Sequence, residues 1–154
     1  MTSLQVERTF KELACKQIEL VPDGRDKFIV HTPFRFDDGD HFVIVLKATE
    51  GGWLLTDEGH TLMHLSYGGF KATQPRQLII NQALTAADAM ERDGEITLEV
   101  LRDDFGAALF AFVQVLIRVA EVAKWTRLGC ASVSAEPSGP AETARYRPTD
   151  EAGA

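Results

Sequence analysis

Leu54-Leu55-Thr56-Asp57-Glu58-Gly59 decides the fold. A short apolar run, of strand length, leads directly into two carboxylates and a glycine, which is how a strand hands over to a helix. An aspartate there accepts a bond from an otherwise unpaired amide of the first turn, and both charges favour the positive end of the helix dipole. Upstream, Glu50-Gly51-Gly52 is a turn and Trp53 to Thr56 pairs back across it as a hairpin arm. His41 to Lys47 carries Phe42, Val43, Ile44, Val45 and Leu46 without alternation, the pattern of a central strand covered on both faces. Before it come the turn Asp37-Asp38-Gly39-Asp40 and the β-branched, aromatic strand Phe28 to Thr32. Pro33 ends that strand because it has no N–H to donate. The span from Thr32 to Thr61 therefore reads as a compact antiparallel core.

Further out, Thr2-Ser3-Leu4-Gln5 is a capping box, and Val6, Phe10, Leu13 and Ala14 recur at helical spacing to about Lys16. Gln17 to Val21 reads as a short strand closed by the turn Pro22-Asp23-Gly24. Beyond Asp57 a short helix carries Leu62, Met63 and Leu65 until Gly68-Gly69. Thr73 caps the next helix, which tolerates Pro75 in its first turn and aligns Leu78, Ile79, Ala83 and Leu84 as its apolar face. Ala89-Met90-Glu91 and Glu95 to Glu99 form a second hairpin about Asp93-Gly94. Asp103-Asp104 opens the longest helix, from about Phe105 to Trp125.

The expected fold class is α+β: a small antiparallel sheet of about five strands packed against a long C-terminal apolar helix and shorter helices. The expected division is one domain over 1–129 and a tail over 130–154. The tail is rich in Ala, Glu, Pro, Ser, Gly and Thr, too poor in apolar surface to offset its ordering entropy, and so reads as disordered.

The chain of 154 residues is 45% hydrophobic and 25% charged, ordinary for one globular core. Sixteen basic against 23 acidic residues give a net charge of -7. That sign repels phosphate, and no basic stripe offsets it, so direct nucleic-acid binding is not expected. Glu7, Arg8, Lys11 and Glu12 break any signal-peptide apolar region. The apolar stretch Phe105 to Ile117 falls short of the ~18 residues a bilayer crossing needs, so it reads as a buried helix. Cys15 and Cys130 are far apart and form no metal pair, which points to a reducing compartment. The expected setting is the cytoplasm, with no membrane partner.

Three acidic patterns invite chemistry. Asp37-Asp38-Gly39-Asp40 concentrates oxygen ligands suited to a hard cation and, with Asp57 and Glu58, outlines a metal-dependent phosphodiesterase site. The same residues equally form a polar hairpin turn in which Asp-Gly supplies the backbone angles. The acid–x–Lys triplet of restriction nucleases is incomplete, since Val45-Leu46-Lys47 puts valine where the acid belongs. His60 and His64, four apart on one helix face, would reach one Zn²⁺ with Asp57 or His41 as third ligand, though no glutamate stands in the H-E-x-x-H position. Asp57-Glu58 is fully explained as a helix start, and so is Asp103-Asp104. Neither cysteine has a histidine near in sequence, and no Gly-x-Ser-x-Gly elbow or phosphate loop is present. Phe34, Phe36, Phe42 and Trp53 read as core rather than as a base-stacking platform, which would need basic neighbours.

Thr32-Pro33-Phe34, Asp38-Gly39-Asp40, an apolar strand, Leu54-Leu55-Thr56-Asp57-Glu58-Gly59 and the Arg-led Arg76 to Asn81 follow one another in an order that resembles domain of unknown function 1828. The resemblance runs from about Ile18 to Trp125. That family of small bacterial and phage-borne proteins has no assigned activity. Its setting implies a role at the phage–host boundary, in toxin systems, in defence or in its inhibition.

The sequence therefore supports a non-enzymatic, acidic protein-interaction module without a cofactor. Its binding residues are Asp37, Asp38, Asp40, Asp57 and Glu58, and its expected partner is a protein presenting a basic, nucleic-acid-binding surface. The alternative is a metal-dependent hydrolase of phosphodiesters, using a divalent metal. There Asp38, Asp40 and Asp57 are ligands with His60 as base, or Asp57, His60 and His64 hold the ion. A homo-oligomeric component is a third reading.

Overall fold

Short turns leave consecutive strands no choice but to run antiparallel. The computed structural model describes residues 1–133 and shows six strands: β1 (Glu19–Pro22), β2 (Lys27–His31), β3 (Val45–Thr49), β4 (Gly52–Thr56), β5 (Met90–Arg92) and β6 (Glu95–Val100). They form one antiparallel sheet in the order β1-β2-β3-β4-β6-β5. Four helices accompany it: α1 (Ser3–Cys15), α2 (His60–Tyr67), α3 (Gln74–Ala86) and α4 (Phe105–Val133). The α+β class and the long apolar C-terminal helix are as the sequence reads, with six strands where about five were expected.

Alternation along β6 sets the two faces of the sheet. Ile96, Leu98 and Val100 are buried, and Glu95, Thr97 and Glu99 point away. The buried face meets Phe112, Leu116 and Val119 of α4, all with no exposed surface, and Ile80 and Leu84 of α3. Burying such side chains contributes about 1.5–3 kcal/mol each. Helices α2 and α3 lie between β4 and β5 in sequence, so the second hairpin returns with β6 beside β4 and β5 at the edge.

Five expectations shift. Regular pairing of the middle strand starts at Val45 rather than His41, because Phe34 to Phe42 closes on itself. Phe36 N–H donates to Asp40 O (2.7 Å), Phe42 N–H donates to Phe34 O (3.2 Å), and Arg35 bridges His41. On α3 the core contacts are Ile80, Ala83 and Leu84, while Leu78 and Ile79 are exposed. The residue after the expected one turns inward, which keeps the i, i+3, i+4 spacing.

The capping box of α1 forms, with Thr2 N–H donating to Gln5 Oε1 (2.8 Å) and Gln5 N–H donating to Thr2 Oγ1 (3.4 Å). Its apolar stripe, however, buries nothing.

Helix α4 begins after a 3₁₀ turn, Leu101–Asp103, with Asp104 Oδ1 accepting from Ala107 N–H (3.0 Å). It continues to Val133, past Trp125 and past the expected boundary at 129. The rest of the expected tail, 134–154, lies outside the described residues. Phe105–Lys124 is also long and apolar enough to cross a membrane by length and composition. The apolar span thus runs beyond Ile117 and exceeds the expected length, because such a window tolerates Gln114 and Arg118. What identifies α4 as the core helix is its zero-exposure stripe Phe112, Leu116 and Val119.

Candidate functional site

Asp57 follows directly on β4, where the chain leaves the sheet for α2, and it is completely buried. A buried carboxylate needs donors, and three backbone amides supply them. Oδ1 accepts from Gly59 N–H (2.9 Å) and Ile96 N–H (2.8 Å), and Oδ2 accepts from Thr61 N–H (3.1 Å). The residue at the helix cap itself is Gly59, whose φ of 78° is left-handed and suits glycine. Asp57 thus serves the first turn of α2 from two residues upstream and also ties it to β6.

Glu58 points to the opposite side of the sheet. In the register of β2 and β3, Lys27 stands directly across from Lys47, a like-charge pair that is unfavourable by itself. Glu58 Oε1 lies 2.9 Å from Lys47 Nζ and 3.0 Å from Lys27 Nζ, and Asp23 adds a contact of 3.1 Å to Lys27. Hydrogen bonds from Lys47 and then Lys27 hold the Glu58 carboxyl below its usual range. The bond to Glu58, then that to Asp23, raises the Lys27 ammonium. Both members of the Asp57-Glu58 pair are therefore engaged in holding the fold.

The other carboxylates converge elsewhere. The turn between Phe34 and Phe42, the end of α2, Phe70, Arg76 and the segment Ile117 to Lys124 of α4 enclose a cleft of about 690 Å³. At its lip, His64 Nε2 lies 2.7 Å from Asp38 Oδ2, and His64 Nδ1 lies 3.8 Å from Asp40 Oδ2. The imidazole stacks on Phe36 with ring centres 4.0 Å apart and 16° between planes, and Phe36 in turn packs on Phe42 (4.4 Å). This stacking fixes the ring in place without using either nitrogen.

Asp40 N–H donates to Asp38 Oδ1 (3.1 Å), and this bond, followed by the attraction of His64, holds the Asp38 carboxyl below its usual range against the opposing effect of partial burial. Asp37 pairs with Lys124 of α4, and Arg76 lies over the Phe70 ring while donating to Lys71 O (2.7 Å). Asp40, by contrast, keeps three quarters of its side chain in solvent.

One ligand atom each from Asp38, Asp40 and His64 lies within 4.8 Å of the others. Two carboxylates and an imidazole at that separation suit a cation: a divalent ion, or the guanidinium or ammonium of an arriving side chain. Of the sequence candidates, the structure brings together Asp38, Asp40 and His64, with Asp37 on the same cleft. Asp57 and Glu58 belong to separate networks. His60 and His64 both line a smaller adjoining pocket of about 250 Å³ with Asp40, while His41 Nε2 accepts from Arg35 Nε (3.2 Å). The cleft residues Tyr67, Glu121 and Lys124 had no local signal, since each reaches the cleft only through helix packing. Phe36 was legible only as an apolar residue.

A family model described as Domain of unknown function DUF1828 matches residues 32–119, more than half of the chain. The chain belongs to that family. The match is narrower than the span from Ile18 to Trp125. It includes Asp38, Asp40 and His64 but not α1, β1 or β2. No curated protein and no solved structure is significantly similar to the chain.

Proposed function

We propose that this member of the family is a protein-interaction module that takes a basic segment of a partner protein into the cleft between the acidic turn and α4. The observation that carries the reading is the convergence of Asp38, Asp40 and His64 at the lip of an aromatic-floored cleft. A partner lysine or arginine seats its charged end between the exposed Asp40 and Asp38. The Asp38 carboxyl, held ionised by Asp40 N–H and His64, keeps its charge to acidic pH. The net charge of -7 steers a basic surface toward the cleft, such as one that otherwise meets nucleic acid. This reading needs no cofactor and no chemical step. It agrees with a cytoplasmic modulator of host defence or of a toxin system, carried on a mobile element. The test is capture of a partner from lysate by the wild-type chain and by the Asp38→Asn/Asp40→Asn variant. A partner held only by the wild type, and released by salt, supports the reading. One held equally by both removes it.

The same three atoms favour one alternative, a metal-dependent hydrolase acting on phosphodiesters. In this reading Asp57 is left out of the ligand set, because it is completely buried and engaged by three backbone amides. Asp38, Asp40 and His64 would hold the ion, leaving His60 in the adjoining pocket as the base. If Mg²⁺, Mn²⁺ or Zn²⁺ raises the melting temperature and cleaves a phosphodiester, this alternative replaces the first reading. If the ions do neither, it is dropped.

A further inference from the structure

We infer that α1 is a dimerisation helix which pairs antiparallel with α1 of a second copy of this chain. Its stripe of Val6, Phe10 and Leu13 is spaced four and then three residues apart, the repeat of a helix that packs on another helix. Yet Val6 is 51%, Phe10 72% and Leu13 55% exposed, and no residue of α1 is buried. A helix of 13 residues standing alone in water is marginal. It is favoured when its stripe is covered, and the rest of the described chain does not cover it.

Two features select a second copy as the occupant. The first is the match of the stripe to itself. Two such helices related by a two-fold axis beside Phe10 stack Phe10 on its counterpart and Val6 on Leu13 of the other chain. This is the isologous contact that a symmetric dimer requires.

The second feature is charge. The chain carries -7, but Glu7 and Glu12 are cancelled within α1 by Lys11 (2.6 Å) and Arg8 (3.2 Å). The helix is thus locally neutral on an acidic protein, and two copies meet there without repulsion. In the antiparallel alignment the residues flanking the stripe are Glu7 and Ala14 on one side and Thr9 and Lys16 on the other, so no like charges face each other. One helix stripe is small beside the ~1,600 Å² of a stable interface. The association is therefore reversible and depends on concentration.

Sedimentation of the full chain over a roughly hundredfold range of concentration reads this directly. The wild type should pass from monomer to dimer, and Phe10→Asp should remain monomeric with the same melting temperature when dilute, since among the described residues nothing buries Phe10. Thr9→Cys, placed beside the axis in a Cys15→Ser/Cys130→Ser background, should form a covalent dimer on oxidation. A wild type that stays monomeric overturns the inference, as does Phe10→Asp dimerising like the wild type. Failure of Thr9→Cys to cross-link overturns the antiparallel geometry. Asp38→Asn/Asp40→Asn should dimerise normally, which keeps this result independent of the cleft.

Discussion

Asp57 accepts a hydrogen bond from the Ile96 backbone N–H at 2.8 Å, across 39 residues of sequence. One carboxylate thereby fixes where α2 leaves β4 and where β6 returns beside it. A cap alone would contribute about 1 kcal/mol. Here removal leaves three amides without an acceptor, two of them in bonds that lie in the buried interior. Asp57→Ala should therefore cost about 3 kcal/mol or more. Denaturant unfolding measures this, and a loss near that of a simple cap would contradict the three-bond account.

Glu58 makes a different prediction because its partners are charged and near the surface. Glu58→Gln should cost no more than about 1 kcal/mol, as it leaves Lys27 facing Lys47. The folded-state pKa of Glu58 is lowered, so its contribution is present above its ordinary pKa and is lost as pH falls through the folded value. Lys27 is raised, so its contribution is present below its ordinary pKa and is lost as pH rises through the folded value. Melting temperature against pH should fall less steeply at both extremes in Glu58→Gln than in the wild type. Parallel curves would refute the triad.

Gly59 adopts φ 78°, and a Cβ there would sit 3.6 Å from Gly94 O, an ordinary contact. The cost of Gly59→Ala is then conformational, about 1–2 kcal/mol. Gly51 has open space around it and no left-handed φ, so Gly51→Ala should leave the melting temperature nearly unchanged. Equal losses at the two positions would show that the left-handed cap is not what selects glycine.

At the cleft, the leading cause of the low Asp38 pKa is the Asp40 N–H, with His64 adding to it. His64→Ala should raise the Asp38 pKa in a carboxyl NMR titration while leaving it below the ordinary aspartate range. A return to the ordinary value would make His64 the dominant partner and change the picture of how the lip is charged.

Local signals were legible in the sequence. The capping box at Thr2 and Gln5, the turn at Asp93-Gly94 and the start of α3 after Thr73, with Pro75 in its first turn, each depend on neighbouring residues, although the Thr73 side chain makes no capping bond. The family was legible from the order of its short motifs. What was not legible depends on distant parts of the chain. Spacing alone could not tell whether Ile79 or Ile80 faces α4, and it gave no sign that the stripe of α1 lies open. The site followed the same rule. Asp57 and Asp38 are both acids at turns, but only the third bond, from Ile96, makes one of them structural. Only the packing of α2 against the acidic turn sets His64 between Asp38 and Asp40.

On the proposed reading, Asp38 and Asp40 at the His64 lip capture a basic partner segment. The most direct measurement is the binding isotherm of the captured partner with the wild-type chain and with Asp38→Asn/Asp40→Asn, each at roughly 0.05 and 0.2 M salt. The variant should bind at least tenfold more weakly, with a salt dependence that is steep for the wild type and shallow for the variant. Equal affinity and equal salt dependence in the two proteins would contradict it.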